Sequence, residues 1–222
     1  MGGPSLIAFD VNETLLSLMP IKRAFEGIFG SDPPLGEWFA RMLHGSLVAN
    51  ILGNHRPFDE IGAAMLIEVA ARRDLLLRAE DAIEALAPMR RLPPHPDVVD
   101  GMQRLSDAGH RMVALTNGST EAANSQIANA GLADLLERVI SVDEVGKFKP
   151  DPAPYLHTAA VMGVAIGDML LVAAHDWDCA GAMAIGADAA FIDRPGSIWS
   201  LPTPPPRLQA PDIIALADAL GA

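Results

Sequence analysis

The chain has 222 residues, 50% of them apolar and 20% charged, with 19 Gly and 18 Pro, a composition that fits a compact fold with a sizeable core and excludes disordered or fibrous classes. Its 16 Lys and Arg against 28 Asp and Glu leave a formal charge of -12, which argues against nucleic acid or an anionic membrane as the partner and requires a local basic pocket for any small anion. One cysteine, Cys179, excludes an intramolecular disulfide and a cysteine-built zinc site, as expected for a reducing cytoplasm.

The N-terminal stretch MGGPSLIAFD lacks a basic region and a long apolar run, so neither a signal peptide nor a membrane span is expected there. Apolar runs at 6–9, 112–115, 139–142, 169–173 and 189–192 are bounded by Gly, Pro, Asn or Asp and alternate with amphipathic stretches at 98–108, 120–130, 152–162 and 178–185. This alternation predicts βαβ units around a parallel sheet, whose strands are apolar on both faces.

Between the first and second strands the pattern changes to successive helices at 21–29, 35–52, 58–72 and 79–86, with no strand among them. LPPHPD at 92–97 ends this insert, since three prolines in four positions cannot continue a helix. The expected organisation is therefore a Rossmann-like α/β core, 1–16 and 93–222, with a helical cap, 17–92, inserted after the first strand. A Pro-rich stretch at 202–206 precedes a last helix expected at 210–220. Ligands of open α/β sheets bind at the carboxyl ends of the strands, so the chemistry is sought there.

Asp10-Val-Asn-Glu-Thr14 follows the first strand. Thr116-Asn117-Gly-Ser follows the second and offers hydroxyl, amide and backbone N–H groups at a helix start, a setting for an anion. Lys147-Phe-Lys149-Pro follows the third, and Ala173-Ala174-His175-Asp176-Trp177-Asp178 the fourth. Each motif alone reads equally as a turn, a helix cap or a solvated loop. Their conjunction, Asp, Thr/Asn, Lys and Asp on four successive strand ends, does not.

That order, with an insert after the first motif, resembles the haloacid dehalogenase superfamily, in which the first-strand Asp is the nucleophile. Most members are phosphatases, but three details turn the resemblance toward the L-2-haloacid dehalogenases. Asn12 stands where phosphatases carry a second Asp, and an amide cannot act as the general acid for an alkoxide. Ala173 and Ala174 stand where phosphatases have Gly-Asp, which removes a usual Mg²⁺ ligand. Trp177-Asp178 matches a Trp-Asp pair of the dehalogenase pattern. Departures are Asn12-Glu13, where dehalogenases commonly have Tyr-Gly, and Ala173 and His175, where they have Ser and Asn.

The resemblance implies a catalytic set of Asp10, Thr14, Arg41, Lys149, His175 and Asp178, with Arg41 at the departing halide and Asp178 or His175 as the base. It implies a substrate-binding set of Asn12, Phe58, Thr116, Asn117, Tyr155 and Trp177. It implies a small anionic 2-haloacid as substrate, no cofactor and no metal, and a homodimer. Read without the family, Arg41 is a solvated helix residue and Phe58 a core residue. Three rivals keep the same fold: a Mg²⁺-dependent phosphatase of small metabolites, a hydrolase of another small carboxylate, and a member that binds without catalysing.

Overall fold

The computed structural model describes residues 3–222; Met1 and Gly2, where the N-terminal stretch read above begins, lie outside the described residues. Six strands form one sheet in the order β3-β2-β1-β4-β5-β6: β1 Leu6–Phe9, β2 Met112–Thr116, β3 Arg138–Ser141, β4 Met169–Ala173, β5 Asp188–Ile192 and β6 Leu208–Ala210. Every neighbouring pair is parallel. The strand order reverses direction at β1, which lies between β2 and β4, and places the first motif at the switch point of the sheet.

The central strands are buried throughout, and their side chains alternate between two cores as the strand period of two requires. Ile7 and Phe9 of β1 and Leu170 and Val172 of β4 join one cluster, with α5 (Val98–Asp107), α6 (Thr120–Asn129) and α9 (Ile213–Leu220). Leu6, Ala8, Met169 and Leu171 face the other, with α7 (Pro152–Met162) and α8 (Asp176–Ala184). The helix starts carry their own caps: the side chains of Ser119, Asp151 and Asp212 accept from Ala122 N, Ala153 N and Ala215 N.

The first cluster continues through Val11, Leu15 and Leu16 into the helices of the insert, α1 Met19–Phe29, α2 Leu35–Leu52, α3 Phe58–Ala71 and α4 Ala79–Leu86. The two chain crossings run side by side. Ser17 N donates to Pro93 O and His95 N to Leu15 O, each at 2.9 Å. Arg194 locks this junction: Nε and Nη2 donate to Thr14 O at 3.1 and 2.9 Å, and Nη1 pairs with Asp97 Oδ1 at 2.6 Å.

The five expected strands and eight of the expected helices are present, with ends displaced by a residue or two. The C-terminus differs. Residues 208–210 form β6, and α9 starts only at Ile213, where Asp212 caps it. Three residues are too few to show an alternation, so the helical pattern beyond Asp212 was extended over them.

Candidate active site

Asp10 directly follows β1 and is 5% exposed. Thr14 Oγ1 donates to its Oδ2 at 2.6 Å, and the same hydroxyl accepts from Ala174 N at 2.9 Å, so Thr14 ties the first motif to the fourth. Lys149, wholly buried, donates through Nζ to three acceptors: Asp10 Oδ1 at 2.9 Å, Leu115 O at 2.9 Å and Asp178 Oδ2 at 2.6 Å. An ammonium has three N–H donors, so Lys149 is fully committed to this frame.

Lys149 is itself held by its neighbours. Asn117 Oδ1 accepts from Lys149 N at 2.8 Å, and Asn50 of α2 pairs with both backbone groups of Phe148 at 2.8 and 2.9 Å. Asp178, in the first turn of α8, also accepts from the Tyr155 hydroxyl at 2.5 Å. Gly181, one turn on, makes this approach possible: a Cβ there would lie 2.5 Å from Pro150 Cβ and 2.8 Å from the Tyr155 hydroxyl.

One cation thus serves two buried carboxylates. Burial alone would raise Asp10, but the Lys149 and His175 charges and the Thr14 and Lys149 hydrogen bonds outweigh it and hold the carboxyl below its ordinary range. Asp178 goes the other way: burial, helped by the negative Asp10, raises it against the pull of Lys149. For Lys149, burial is outweighed by the two carboxylates, which hold it protonated above its ordinary value. Burial and the Asp178 charge push Tyr155 well up, so it stays a phenol and donates.

His175 lies flat between two rings, 5.3 Å from Phe39 and 5.2 Å from Trp177 by centroid. Its Nε2 is 3.2 Å from Asn12 O, 3.7 Å from Asp10 Oδ2 and 3.8 Å from Glu13 Oε2. Only Asn12 O, a carbonyl acceptor, is within hydrogen-bond distance, which pairs it with a proton on Nε2, and the two carboxylates lie just beyond. Glu13 has a φ of 63°, a left-handed conformation that costs a non-glycine residue about 1 kcal/mol or more. Burial raises its carboxyl, with Asp10 adding to the rise and His175 opposing it.

Thr116 and Asn117 are 1% and 6% exposed at the end of β2. The Thr116 hydroxyl accepts from Gly118 N at 3.1 Å, while the Asn117 side chain is spent on the Lys149 backbone. Tyr155 sits beside Asp178 and contacts the centre through its hydroxyl, which donates to that carboxylate. Phe58 opens α3, packs 5.6 Å from Phe148 and lines a cavity beside Asn12. The Asn12 amide oxygen accepts from Gln126 Nε2 at 3.1 Å, and the same nitrogen donates to Met89 O at 2.7 Å. Gln126 Oε1 is buried without a partner.

Arg41 is not at this centre. Its Nε pairs with Glu37 at 2.9 Å and its Nη1 with Glu68 at 3.1 Å, in a surface network that includes Arg72 and Arg73. The α2 side chain that reaches the catalytic groups is Phe39. At 3.6 residues per turn, two positions differ by about 200°, so Phe39 and Arg41 point to nearly opposite sides of the helix. Phe39, Glu13, Gln126 and Asn50 escaped sequence reading because none belongs to a strand-end motif except Glu13, whose side chain gave no signal of its direction.

A family model for haloacid dehalogenase-like hydrolases matches residues 4–186. The chain belongs to that family. Haloacetate dehalogenase H-2 of Moraxella sp. (strain B) is 29% identical over 195 residues, 86% of each chain. (S)-2-haloacid dehalogenase of Xanthobacter autotrophicus is 27% identical over 193 residues, 85% of this chain and 74% of the relative. The solved structure of an L-2-haloacid dehalogenase from Xanthobacter autotrophicus, with chloropropionic acid covalently bound, shares the fold of this hydrolase. It superposes with a TM-score of 0.90 over 99% of both chains at 22% identity.

Proposed function

We propose that this hydrolase is a dehalogenase that converts 2-haloalkanoic acids to 2-hydroxy acids through an ester on Asp10. The observation that carries the reading is the Asp10 carboxyl fixed on both oxygens by Lys149 and Thr14 and flanked by Asn12 in place of an acid. A departing halide needs no proton, so an amide at position 12 costs this reaction nothing, whereas an alkoxide leaving group requires an acid there.

In the first step an Asp10 oxygen attacks the α-carbon with inversion as the carbon–halogen bond breaks and its electron pair leaves with the halide. Orientation supplies much of the rate, because both carboxyl oxygens are already held. In the second step water adds at the Asp10 carbonyl carbon. Asp178, raised by burial, takes a proton from that water and passes it to the departing oxygen, so that the 2-hydroxy acid leaves with the original Asp10 oxygen. The Asp10 carboxylate is restored with one water oxygen, and one proton is released for each halide. His175, hydrogen-bonded through Nε2 to Asn12 O and 3.7 Å from Asp10 Oδ2, borders the carboxyl without donating to it, and is the second candidate base beside Asp178. Asn12, Phe58, Thr116, Asn117 and Trp177 surround the substrate, and Tyr155 positions Asp178.

We further read the enzyme as metal-independent, because Lys149 occupies the space between the two carboxylates that would otherwise hold a cation. Among the described residues no helix is long and apolar enough to cross a membrane. We infer a cytoplasmic protein with core 1–16 and 93–222 and cap 17–92, and a homodimer in which exposed apolar cap positions such as Ile51 and Leu52 meet a second copy. Light scattering of the purified protein checks the dimer.

The deciding experiment is halide release from the separate enantiomers of 2-bromopropionate and from bromoacetate, with excess EDTA throughout. Release from the L (S) enantiomer despite the chelator is expected. A single turnover in ¹⁸O-water should place the label in Asp10; label appearing first in the product would mean direct attack by water. Failure of all three haloacids, with Mg²⁺-dependent turnover of a phosphomonoester, would replace this reading.

A further inference from the structure

A cavity of about 570 Å³ lies between the cap and the core beside the catalytic centre. This volume falls within the roughly 300–1,000 Å³ of pockets that enclose ligands of drug size, and a haloacetate or 2-halopropionate would leave most of it empty. Its cap wall is mostly apolar, built from Trp38 and Met42 of α2, Phe58 of α3 and Leu86 of α4, with the α3 carboxylates Asp59 and Glu60 also on the lining. That wall is fixed before any ligand arrives: Trp38 Nε1 donates to Gly62 O at 2.8 Å, and Trp38 is 1% exposed. The space exists because the facing positions are small, among them Ala63 on α3 and Ala122 on α6.

The floor belongs to the catalytic loops. Asn12, two residues after the nucleophile, and Gly118, two residues after Thr116, both line the cavity. Gln126 anchors Asn12 there, and its own Oε1 is a buried acceptor without a partner. The cavity therefore extends from the reacting carboxylate's own loop toward the cap, along a path whose lining is mainly apolar, with Asp59, Glu60 and Arg90 as its charged members.

We propose that this cavity is the subsite for the carbon-2 substituent, and that the preferred substrates are 2-halo acids with a large apolar substituent, an alkyl chain of about four carbons or more or an aryl ring. The proposal rests on the dehalogenase reading for the reaction, and the cavity adds the substrate class. Burial of each further methylene contributes ~0.8 kcal/mol, equivalent to about fourfold in affinity.

The test separates binding from chemistry. Unreactive 2-hydroxy acids from glycolate through lactate to 2-hydroxyhexanoate and 2-hydroxyoctanoate are titrated into the wild-type protein by calorimetry, while halide release is measured on the matching 2-bromo acids. The dissociation constant should fall by about fourfold per methylene until the cavity is filled, with a negative heat-capacity change. Ala63→Phe and Ala122→Phe, which fill the cavity from opposite walls, should each flatten that series, so one misfolded variant leaves the other to decide. Affinity that is flat or falls with chain length in the wild type overturns the proposal, even if 2-bromopropionate is dehalogenated. Rising affinity without halide release from any 2-bromo acid keeps the subsite and removes the dehalogenase reading instead.

Discussion

Two charge clusters in this molecule have nearly the same geometry and opposite significance. In the core, Lys149 meets Asp10 and Asp178 at 2.9 and 2.6 Å; on the cap, Arg41 meets Glu37 and Glu68 at 2.9 and 3.1 Å. The side chains of Lys149 and Asp178 are fully buried, whereas those of Arg41 and Glu68 are 29% and 36% exposed. Solvent screens the second cluster far more than the buried first, so equal distances represent very different interaction strengths. Burial, more than contact distance, distinguishes a reaction centre from a solvated helix face.

That contrast can be broken or sharpened in four ways. Asp10→Asn should reduce multiple-turnover halide release by on the order of 10⁴-fold or more, since the nucleophile is lost while the fold remains; an ion-selective electrode reads it directly. Lys149→Met leaves two buried carboxylates without their cation and should destabilise the protein by ~3–5 kcal/mol, measured by urea unfolding at neutral pH.

The same variant has a pH signature. Because Asp10 is held below its ordinary value, its contribution to stability is present above pH 3.8 and is lost as pH falls through the lowered folded value. Lys149, held above 10.5, keeps its contribution below that value and loses it as pH rises through the raised one. The raised Asp178 has the opposite sign, so its cost is relieved on acidification and blunts the acid loss. Lys149→Met should therefore abolish the alkaline loss and move the acid limb of halide release to higher pH.

Tyr155→Phe removes one hydrogen bond to Asp178 and should cost ~1.5–3 kcal/mol. It should slow ester hydrolysis more than ester formation, so that covalent enzyme accumulates in rapid-quench mass spectrometry. Arg41→Ala should leave halide release within about twofold of wild type, as expected for an exposed pair. A loss of several hundredfold would show that the guanidinium turns inward when substrate binds.

The sheet and its four motifs were legible because a parallel α/β sheet repeats one rule: an apolar strand, then a polar strand end at the crevice. Asp10, Thr14, Lys149 and Asp178 could be located by that rule, and they meet within hydrogen-bond distance. The cap has no equivalent rule. The apolar residues of α2 mark no single strong face, and the family resemblance points to Arg41, whereas Phe39 is the side chain stacked on His175. A two-residue offset preserves the face of a strand and reverses that of a helix, so a helical site residue demands an exact register. Tyr155 was legible only through the resemblance, and its hydrogen bond to Asp178 depends on α7 and α8 packing together. The exchange of Tyr-Gly for Asn12-Glu13 was visible as a departure, while its result, a strained Glu13 facing His175, depends on the backbone path.

The cap enters and leaves the core at one paired junction, with Ser17 bonded to Pro93 and His95 to Leu15, and Arg194 bolting the nucleophile loop to Asp97. An insert held this way is, topologically, the contents of a single loop, and loop closure depends only weakly on how much chain the loop contains. Lineages can lengthen, shorten or re-line it without disturbing the order of the strands or the four carboxyl ends that carry the reaction. The wall that the cap contributes to the cavity can therefore change while the catalytic loops, which form the cavity floor, stay fixed.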